Sequence, residues 1–529
     1  MIPHFELLDL EQIESKLASR FADDTILSLK DLPLPESLEN LPQIAQKISQ
    51  AIRDNKRIVI VGDYDVDGVV SCAILDEFFK KLSFPIQVEI PNRFSDGYGL
   101  SASVIARLDC DMIITVDNGI NAIEAAEICK KRGIELLITD HHTPQATLPE
   151  ALICNPKLSP KFPEPEICGA CVAWYLCAAL KNEMRLQVQM VEFLDLLSLA
   201  IVSDVMPLRG INRVLLKKGL EMLRKSKRIA MIQLKEQFSK HNLDAQLISY
   251  YIAPLLNCAG RMDCAILAYR FLVAENLAQS KQTLAQLLDW NAKRKSLQNA
   301  TYEEAKEMFL SQKDSANLPF ILSFKEDWHE GIIGIIAARL SEEFGKPSIV
   351  LSLKDGILKG SMRSLSVDCM QVLGACKDSL IAFGGHIGAA GLSLKLEDLE
   401  DFRAKLMAFE IPQMQEEQSQ IACFKEVLGR LPLRFINTEL FERIQAFEPF
   451  GHQNALPRFY TEAEIVSSRY FGAGHSSVRL QEEGATQNAL VFFKDLRESI
   501  GKRIGCVYSL QWDKYNSNVV LNLEYYEFL

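Results

Sequence analysis

Between Lys56 and Asp140 short apolar runs alternate with amphipathic stretches. Arg57–Val61 is a β-branched run ending at Gly62, Met112–Val116 is a second, and Leu136–Thr139 is a third. Val70–Lys81 and Ala122–Arg132 carry helical spacing between them. Strands separated by helices of about 10–15 residues predict βαβ units and a mostly parallel sheet. A further apolar run, Leu196–Val202, ends just before Asp204.

Residues 276–317 contain neither Gly nor Pro and are rich in Leu, Ala, Lys, Gln and Glu, all good helix formers. A continuous helix there would be ~60 Å long, a length that suits a connection between domains. A second, smaller α/β pattern begins near Pro319, with strand-like Phe320–Phe324, Ser348–Leu353 and Ile357–Gly360, and ends near the polar linker Gln413–Gln420. Beyond Leu456, Ser476–Leu480, Ala489–Phe493, Cys506–Trp512 and Val519–Tyr526 read as short strands with turns between them, which predicts a small β-barrel. The expected order is therefore a parallel-sheet domain over 1–275, a connecting helix over 276–317, a smaller α/β domain over 318–412 and a barrel over 425–529.

Composition adds little to this. The 529 residues are 48% hydrophobic and 24% charged, ordinary for a globular protein. The net charge of −11 lacks the basic excess typical of nucleic-acid binders, yet bound divalent cations invert the potential of an acidic pocket. The 13 cysteines show no disulfide or zinc spacing; Cys168, Cys171 and Cys177 read as a buried helix around Trp174. The N-terminal stretch carries acids where a signal peptide carries basic residues. Ile167–Leu180 is shorter than the ~20 residues a membrane span needs. A cytoplasmic protein without membrane attachment is expected.

The chemistry gathers at the ends of the apolar runs. Gly62–Gly68 reads GDYDVDG directly after the first. Asp63 and Asp65, two apart in extended chain, project to one side, and carboxylates so close repel unless cations hold them. Asp117 ends the second run, Asp140-His141-His142 ends the third, and Asp204 follows Leu196–Val202. Acids at the carboxyl ends of parallel strands stand where open α/β sheets bind ligands. Oxygen donors with one or two imidazoles suit Mg²⁺ or Mn²⁺, and there are enough to hold two ions ~3.5–4 Å apart. Taken singly, each piece has a plainer reading. A lone Asp after a strand is usually a helix N-cap, which suits Asp67, and a lone His is usually a satisfied surface or core residue.

GDYDVDG, VDNG at 116–119, DHH at 140–142 and SDVMPL at 203–208 resemble, in order, the four motifs of the DHH phosphoesterase superfamily. The resemblance implies that Asp63 binds one metal, Asp117 bridges, and Asp65, His141 and Asp204 bind the other, with His142 on the scissile phosphate. Many members supply a further His just before the first Asp; Val61 stands there in this chain.

Further segments resemble the RecJ family of exonucleases within that superfamily. They are Pro91–Gly99, Leu256–Met262, Trp328–Gly334, Phe383–Gly391 and Glu448–Asn454. The resemblance implies a DHH domain, a DHH-associated domain and an OB-fold. It also implies 5′ to 3′ hydrolysis of single-stranded DNA with Mn²⁺ or Mg²⁺ in recombination and repair. Arg93, Ser361 and Arg363 would hold a 5′-phosphate. Arg261 offers a forked donor to phosphate, and the glycines around His386 let backbone N–H groups approach an anion, although a tight turn accounts for Gly384 and Gly385 equally. Trp328 and His329 could act directly or be packing at a helix start, with a direct role the weaker reading for Trp328.

Lys217, Lys218, Arg224, Lys225, Lys227 and Arg228, and Lys293–Lys295 in the long helix, could line a strand track, though such runs are more often solvated faces. Phe459, Tyr460, Tyr470, Phe471, Trp512 and Tyr515 are candidate stacking residues of the barrel. By resemblance the partners are single-stranded DNA, a single-stranded-DNA-binding protein and a RecQ-type helicase, and the protein is a monomer. Two other functions compete: a DHH phosphodiesterase of short nucleotides, disfavoured by residues 425–529, and an inactive replication scaffold, disfavoured by the intact acids.

Overall fold

The computed structural model describes residues 4–411, 424, 426–472, 474–513 and 516–529. The linker expected at Gln413–Gln420 and the stacking candidate Tyr515 lie outside the described residues.

The first sheet is β1 (Ile58–Val61), β2 (Gln87–Glu89), β3 (Met112–Val116), β4 (Glu135–Thr139) and β5 (Leu152–Cys154). Its order is β2-β1-β3-β4-β5 and every pairing is parallel. Alternate residues of β1 and β3 feed two cores. Ile58, Ile60, Ile114 and Val116 pack with the helices Val66–Lys81 and Gly169–Glu183, while Val59, Val61 and Ile113 pack with Ile123–Arg132. Burial on both faces explains the unbroken apolar runs. Strand order reverses between β1 and β3, and the crevice beyond their carboxyl ends is where such sheets take ligands.

One expectation fails here. Leu196–Val202 is not strand-like but part of the helix Leu194–Ser203, and Asp204 is its C-cap, with N–H donating to the Ala200 carbonyl at 3.0 Å. Residues 194–201 are all buried, so no polar face reveals the helical period, and a short apolar run reads the same in either state.

The helix Leu277–Leu310 has 34 residues, with the Asn276 side chain accepting from the Gln279 N–H. At ~51 Å it stops short of the expected Asn317; turns follow at 311–314 and a short 3-10 helix at Ser315–Asn317. Leu284 and Leu287 pack in the first domain's core, while Tyr302, Ala305 and Phe309 pack against Ile321, Ile333, Ile336 and Val350 of the next. One rigid element thus joins two cores.

The second sheet comprises β6 (Ile321–Lys325), β7 (Ser348–Lys354), β8 (Ile357–Arg363), β9 (Ala382–His386) and β10 (Ala389–Lys395), ordered β6-β7-β8-β10-β9. β8 continues through Ser361 to Arg363, three residues past the expected strand end at Gly360. Gly384 and Gly385 lie in edge strand β9, not in a turn between helix and strand.

The third unit is a barrel of β12 (Arg458–Phe471), β13 (His475–Glu482), β14 (Ala485–Val491), β15 (Arg503–Asp513) and β16 (Asn518–Phe528), closed by β12–β15 pairing and flanked by β11 (Val427–Arg430). Leu8, Ile13 and Leu17 of the N-terminal segment sit in this barrel's core, and the Leu8 N–H donates to the Arg430 carbonyl at 2.9 Å. The sequence reading groups these residues with the first domain. Helical spacing shows that Ile13 and Leu17 share a face, but not which core receives it. Cys168, Cys171 and Cys177 are buried around Trp174, as expected.

Candidate metal centre and phosphate pocket

The turn after β1 holds three carboxylates. Asp65 caps the helix Val66–Lys81, its oxygen accepting from Asp67 N–H at 3.0 Å and Gly68 N–H at 3.1 Å. Asp67 is therefore not the cap of its own helix. Its carboxylate reaches across to the N-terminus of Gly169–Glu183, accepting from Gly169 N–H at 2.6 Å and Ala170 N–H at 2.9 Å.

At the end of β3, Asp117 adopts φ +61°, a left-handed conformation costly for a residue with a Cβ. Asn118 holds the turn by donating to the Val61 and Val116 carbonyls and accepting from the Leu100 N–H. Gly169 leaves room for Asp117: a Cβ there would lie 2.5 Å from Asp117 Oδ1. After β4, Asp140 accepts from the backbone N–H groups of Ile120, His141 and His142 and from His142 Nδ1 at 2.8 Å.

These turns converge. His141 Nε2 lies 3.1 Å from Asp117 Oδ1, 3.6 Å from Asp204 Oδ2 and 3.7 Å from Asp67 Oδ2. Three donor groups, each with ligand atoms within 4.8 Å of one another, are Asp63–Asp65–Asp117, Asp117–His141–His142 and Asp67–His141–Asp204. Asp65 thus falls with Asp63 and Asp117, and Asp67 takes the place the resemblance implies for Asp65 beside His141 and Asp204. The expected capping of its own helix by Asp67 is not what the structure shows, because Asp65 holds that position, and only tertiary contacts bring Asp67 to His141 and Asp204.

Electrostatics fit cations. Burial, then the charge of neighbouring carboxylates, pushes Asp63, Asp117 and Asp204 above the usual carboxylate range. Asp117 Oδ1 and Asp204 Oδ2 are buried without a hydrogen-bond partner, an arrangement that costs free energy unless something else satisfies them. Oxygen donors plus imidazole and no thiolate match Mg²⁺ or Mn²⁺. Burial lowers His141, which favours the neutral, ligating form. Burial also pulls on His142, but the Asp140 hydrogen bond and charge, with Asp63 and Asp65, raise it to about 9. The two adjacent imidazoles are driven apart, one neutral and one cationic.

Cationic side chains face this cluster. Arg93 stacks over the Tyr64 ring at 5.3 Å, and Arg261 is lowered to about 10 by burial and by Arg93, Arg294 and Arg363, with Asp65 opposing. Arg363 Nη1 donates to Ser361 Oγ at 2.6 Å. The helix Ile333–Phe344 starts against them: a Cβ on Gly334 would lie 3.0 Å from Arg363 Nη2 and 3.1 Å from Ser361 Oγ. A helix N-terminus beside an Arg and a hydroxyl suits an anion.

His386 is exposed at the end of β9, two strands from Arg363, about 9.5 Å at normal strand spacing. Trp328 is buried, donating to Glu304 at 2.9 Å. His329 meets Phe94 edge-on at 5.5 Å, in a ~310 Å³ cavity between the first two domains. Tyr98 carries no role in the sequence reading, yet its hydroxyl lies 3.3 Å from His142 Nε2. Among the barrel aromatics, Phe459 and Tyr460 are core, Trp512 packs on Phe441, and Tyr470 and Phe471 are exposed.

Comparison with known proteins follows the same division. The DHH family N-terminal domain matches residues 57–201, the DHHA1 domain 317–410 and the RecJ OB domain 429–526. The single-stranded-DNA-specific exonuclease RecJ of Haemophilus influenzae is 30% identical over 94% of this chain and 92% of its own length. That of Bacillus subtilis is 32% identical over 91% of this chain, which spans 62% of the relative. The Thermus thermophilus RecJ structure with Mn²⁺ superposes with TM-score 0.80 at 25% identity, covering 99% of this chain and 79% of that one. The same protein with Mg²⁺ gives 0.76 at 26% identity, covering 98% and 74%. No helix among the described residues is long and apolar enough to cross a membrane.

Proposed function

The chain belongs to the RecJ family of single-stranded-DNA-specific exonucleases, and from that premise we propose that it hydrolyses single-stranded DNA from the 5′ end using two divalent cations, Mn²⁺ or Mg²⁺. The observation that carries this is the convergence of seven acidic and imidazole side chains beyond β1, β3 and β4, facing an arginine-lined anion pocket. Asp63, Asp65 and Asp117 would hold one ion, and Asp67, His141 and Asp204 the other, with Asp117 beside both. Ions held there supply positive charge to phosphate oxygens and acidify water for attack.

The chain's own residues do the rest. Arg93, Ser361 and Arg363 receive the 5′-terminal phosphate, and Arg261 bridges charge between that pocket and Asp65. His142, kept cationic by Asp140, offers its Nε2 side to a non-bridging oxygen of the scissile phosphate. The Tyr98 hydroxyl, 3.3 Å from the same nitrogen, would orient the ring beside that oxygen. His386 takes a more distant phosphate from the rim of β9. A pocket that closes around a terminal phosphate sets polarity, because an internal phosphate cannot enter it.

The four-part division read from the sequence, with its boundaries, is part of this proposal. So are a monomeric, cytoplasmic protein, a role in recombination and repair, and work beside a single-stranded-DNA-binding protein and a RecQ-type helicase. The test is degradation of 5′- and 3′-labelled single strands and of blunt duplex, with and without Mn²⁺. Metal-dependent release from the 5′ end of single strands alone supports the reading. Activity without metal, or equal activity on duplex, refutes it.

A further inference from the structure

The helix that carries Arg261 begins outside the catalytic cleft. Its first turns are Ala245–Leu247 and a π-helical turn, Ile248–Ile252, and it runs on as Ala253–Met262. π turns occur mostly at functional positions. Tyr250 and Tyr251 stand on that turn with 72% and 41% of their surface exposed. Tyr251 packs against Phe238 at 5.8 Å, while most of the Tyr250 ring is in water, and exposed apolar patches of this kind mark contact surfaces. His241 extends the platform, its ring 4.4 Å from that of Tyr251.

Several cations stand near the platform, beside the acids Asp244 and Glu448. Arg224 donates to the Leu243 carbonyl at 2.8 Å, which brings the end of the helix Gly210–Lys225 against this loop. Exposed Lys225 and Lys240 have no ion pair among the described residues. Pro254, Asn257 and Arg261 form a partly buried stripe down the same helix towards the catalytic cleft. Eleven residues separate Tyr250 from Arg261, about 16 Å at the helical rise. At the ~3.4 Å spacing of stacked nucleotides, that is about five bases.

We propose that Tyr250 and Tyr251, with His241 and the cations Arg224, Lys225 and Lys240, are a second binding site for the single strand, stacking bases about five nucleotides from the captured end. The inference rests on the exonuclease reading above. Stacking on aromatic side chains is tolerant of sequence because every base has a π-face, so the platform grips the strand without selecting it.

The test uses the whole chain and 5′-phosphorylated oligothymidylates of 3 and 12 nucleotides. For Tyr250→Ala, and separately Tyr251→Ala, the KM of the 12-mer rises about 5- to 100-fold, the range of one lost base–aromatic contact, while its kcat and the trimer's kinetics stay as in wild type. Tyr250→Phe keeps wild-type values because the ring remains. Equal losses on both lengths, or a 12-mer KM unchanged in both alanine variants, overturn the site; an unchanged KM assigns the patch to a protein partner instead. If wild type hydrolyses neither oligomer, it is the exonuclease reading that fails.

Discussion

His142 Nδ1 lies 2.8 Å from Asp140 Oδ1, and that oxygen also accepts the backbone N–H groups of His141 and His142. One carboxylate therefore fixes the turn that aims both imidazoles and keeps one of them charged. Asp140→Asn retains the volume and loses the charge. Partners behind a site of this kind typically contribute 10- to 100-fold, so kcat on a 5′-labelled single strand falls about that much, with KM little changed. A wild-type kcat would show that Asp140 is only a turn residue.

Burial and the charges of Asp67, Asp65 and Asp63 disfavour the ionised form of Asp117. Asp117→Asn removes one buried charge, so in chelator the variant melts higher than wild type, by about 2–4 °C for each kcal/mol relieved. Added Mn²⁺ reverses the order. Wild type gains roughly 2.7 kcal/mol at 100 times the dissociation constant, and the variant gains far less. Calorimetric melts with and without Mn²⁺ check both signs; a wild type indifferent to Mn²⁺ contradicts the site.

Arg363 donates to Ser361 and faces the start of the helix Ile333–Phe344. Arg363→Ala removes one charge-assisted contact to a terminal phosphate, a loss of roughly 10- to 100-fold in preference for 5′-phosphate over 5′-hydroxyl ends. Competition between the two ends measures it. An undiminished preference moves the phosphate pocket elsewhere.

Glu448, at the lead-in to the barrel, is lifted from 4.5 to about 7 by burial and by Asp244, with Arg224 opposing. Between those values the folded chain keeps a proton that the unfolded chain has released, so this group makes stability fall as pH rises from 4.5 to 7. Glu448→Gln flattens that part of the profile and melts higher than wild type at about pH 8. An identical slope in both proteins would place Glu448 in solvent.

Much of this is legible in the chain. β1, β3 and β4 are buried on both faces, so their apolar runs stand out, and the acids that follow them mark the ligand edge of a parallel sheet. The short strands β2 and β5 carry no such pattern at three residues each. The sequence places Asp204 beside the other acids, but on the wrong element, because a helix buried all round hides its period. Asp67 and Tyr98 escape it for a different reason. Their roles depend on contacts with Gly169 and His142, 102 and 44 residues away, and no local spacing encodes those. The same holds for Ile13 and Leu17, whose shared face is readable and whose partner, a barrel formed much later in the chain, is not.

The central claim is that paired cations sit among these particular side chains, and anomalous diffraction at the manganese edge from crystals soaked in Mn²⁺ tests it most directly. Two peaks are expected, one touching Asp63, Asp65 and Asp117 and the other touching Asp67, His141 and Asp204, with both lost in Asp117→Ala. Peaks elsewhere on the surface, or a single ion untouched by that substitution, would contradict it.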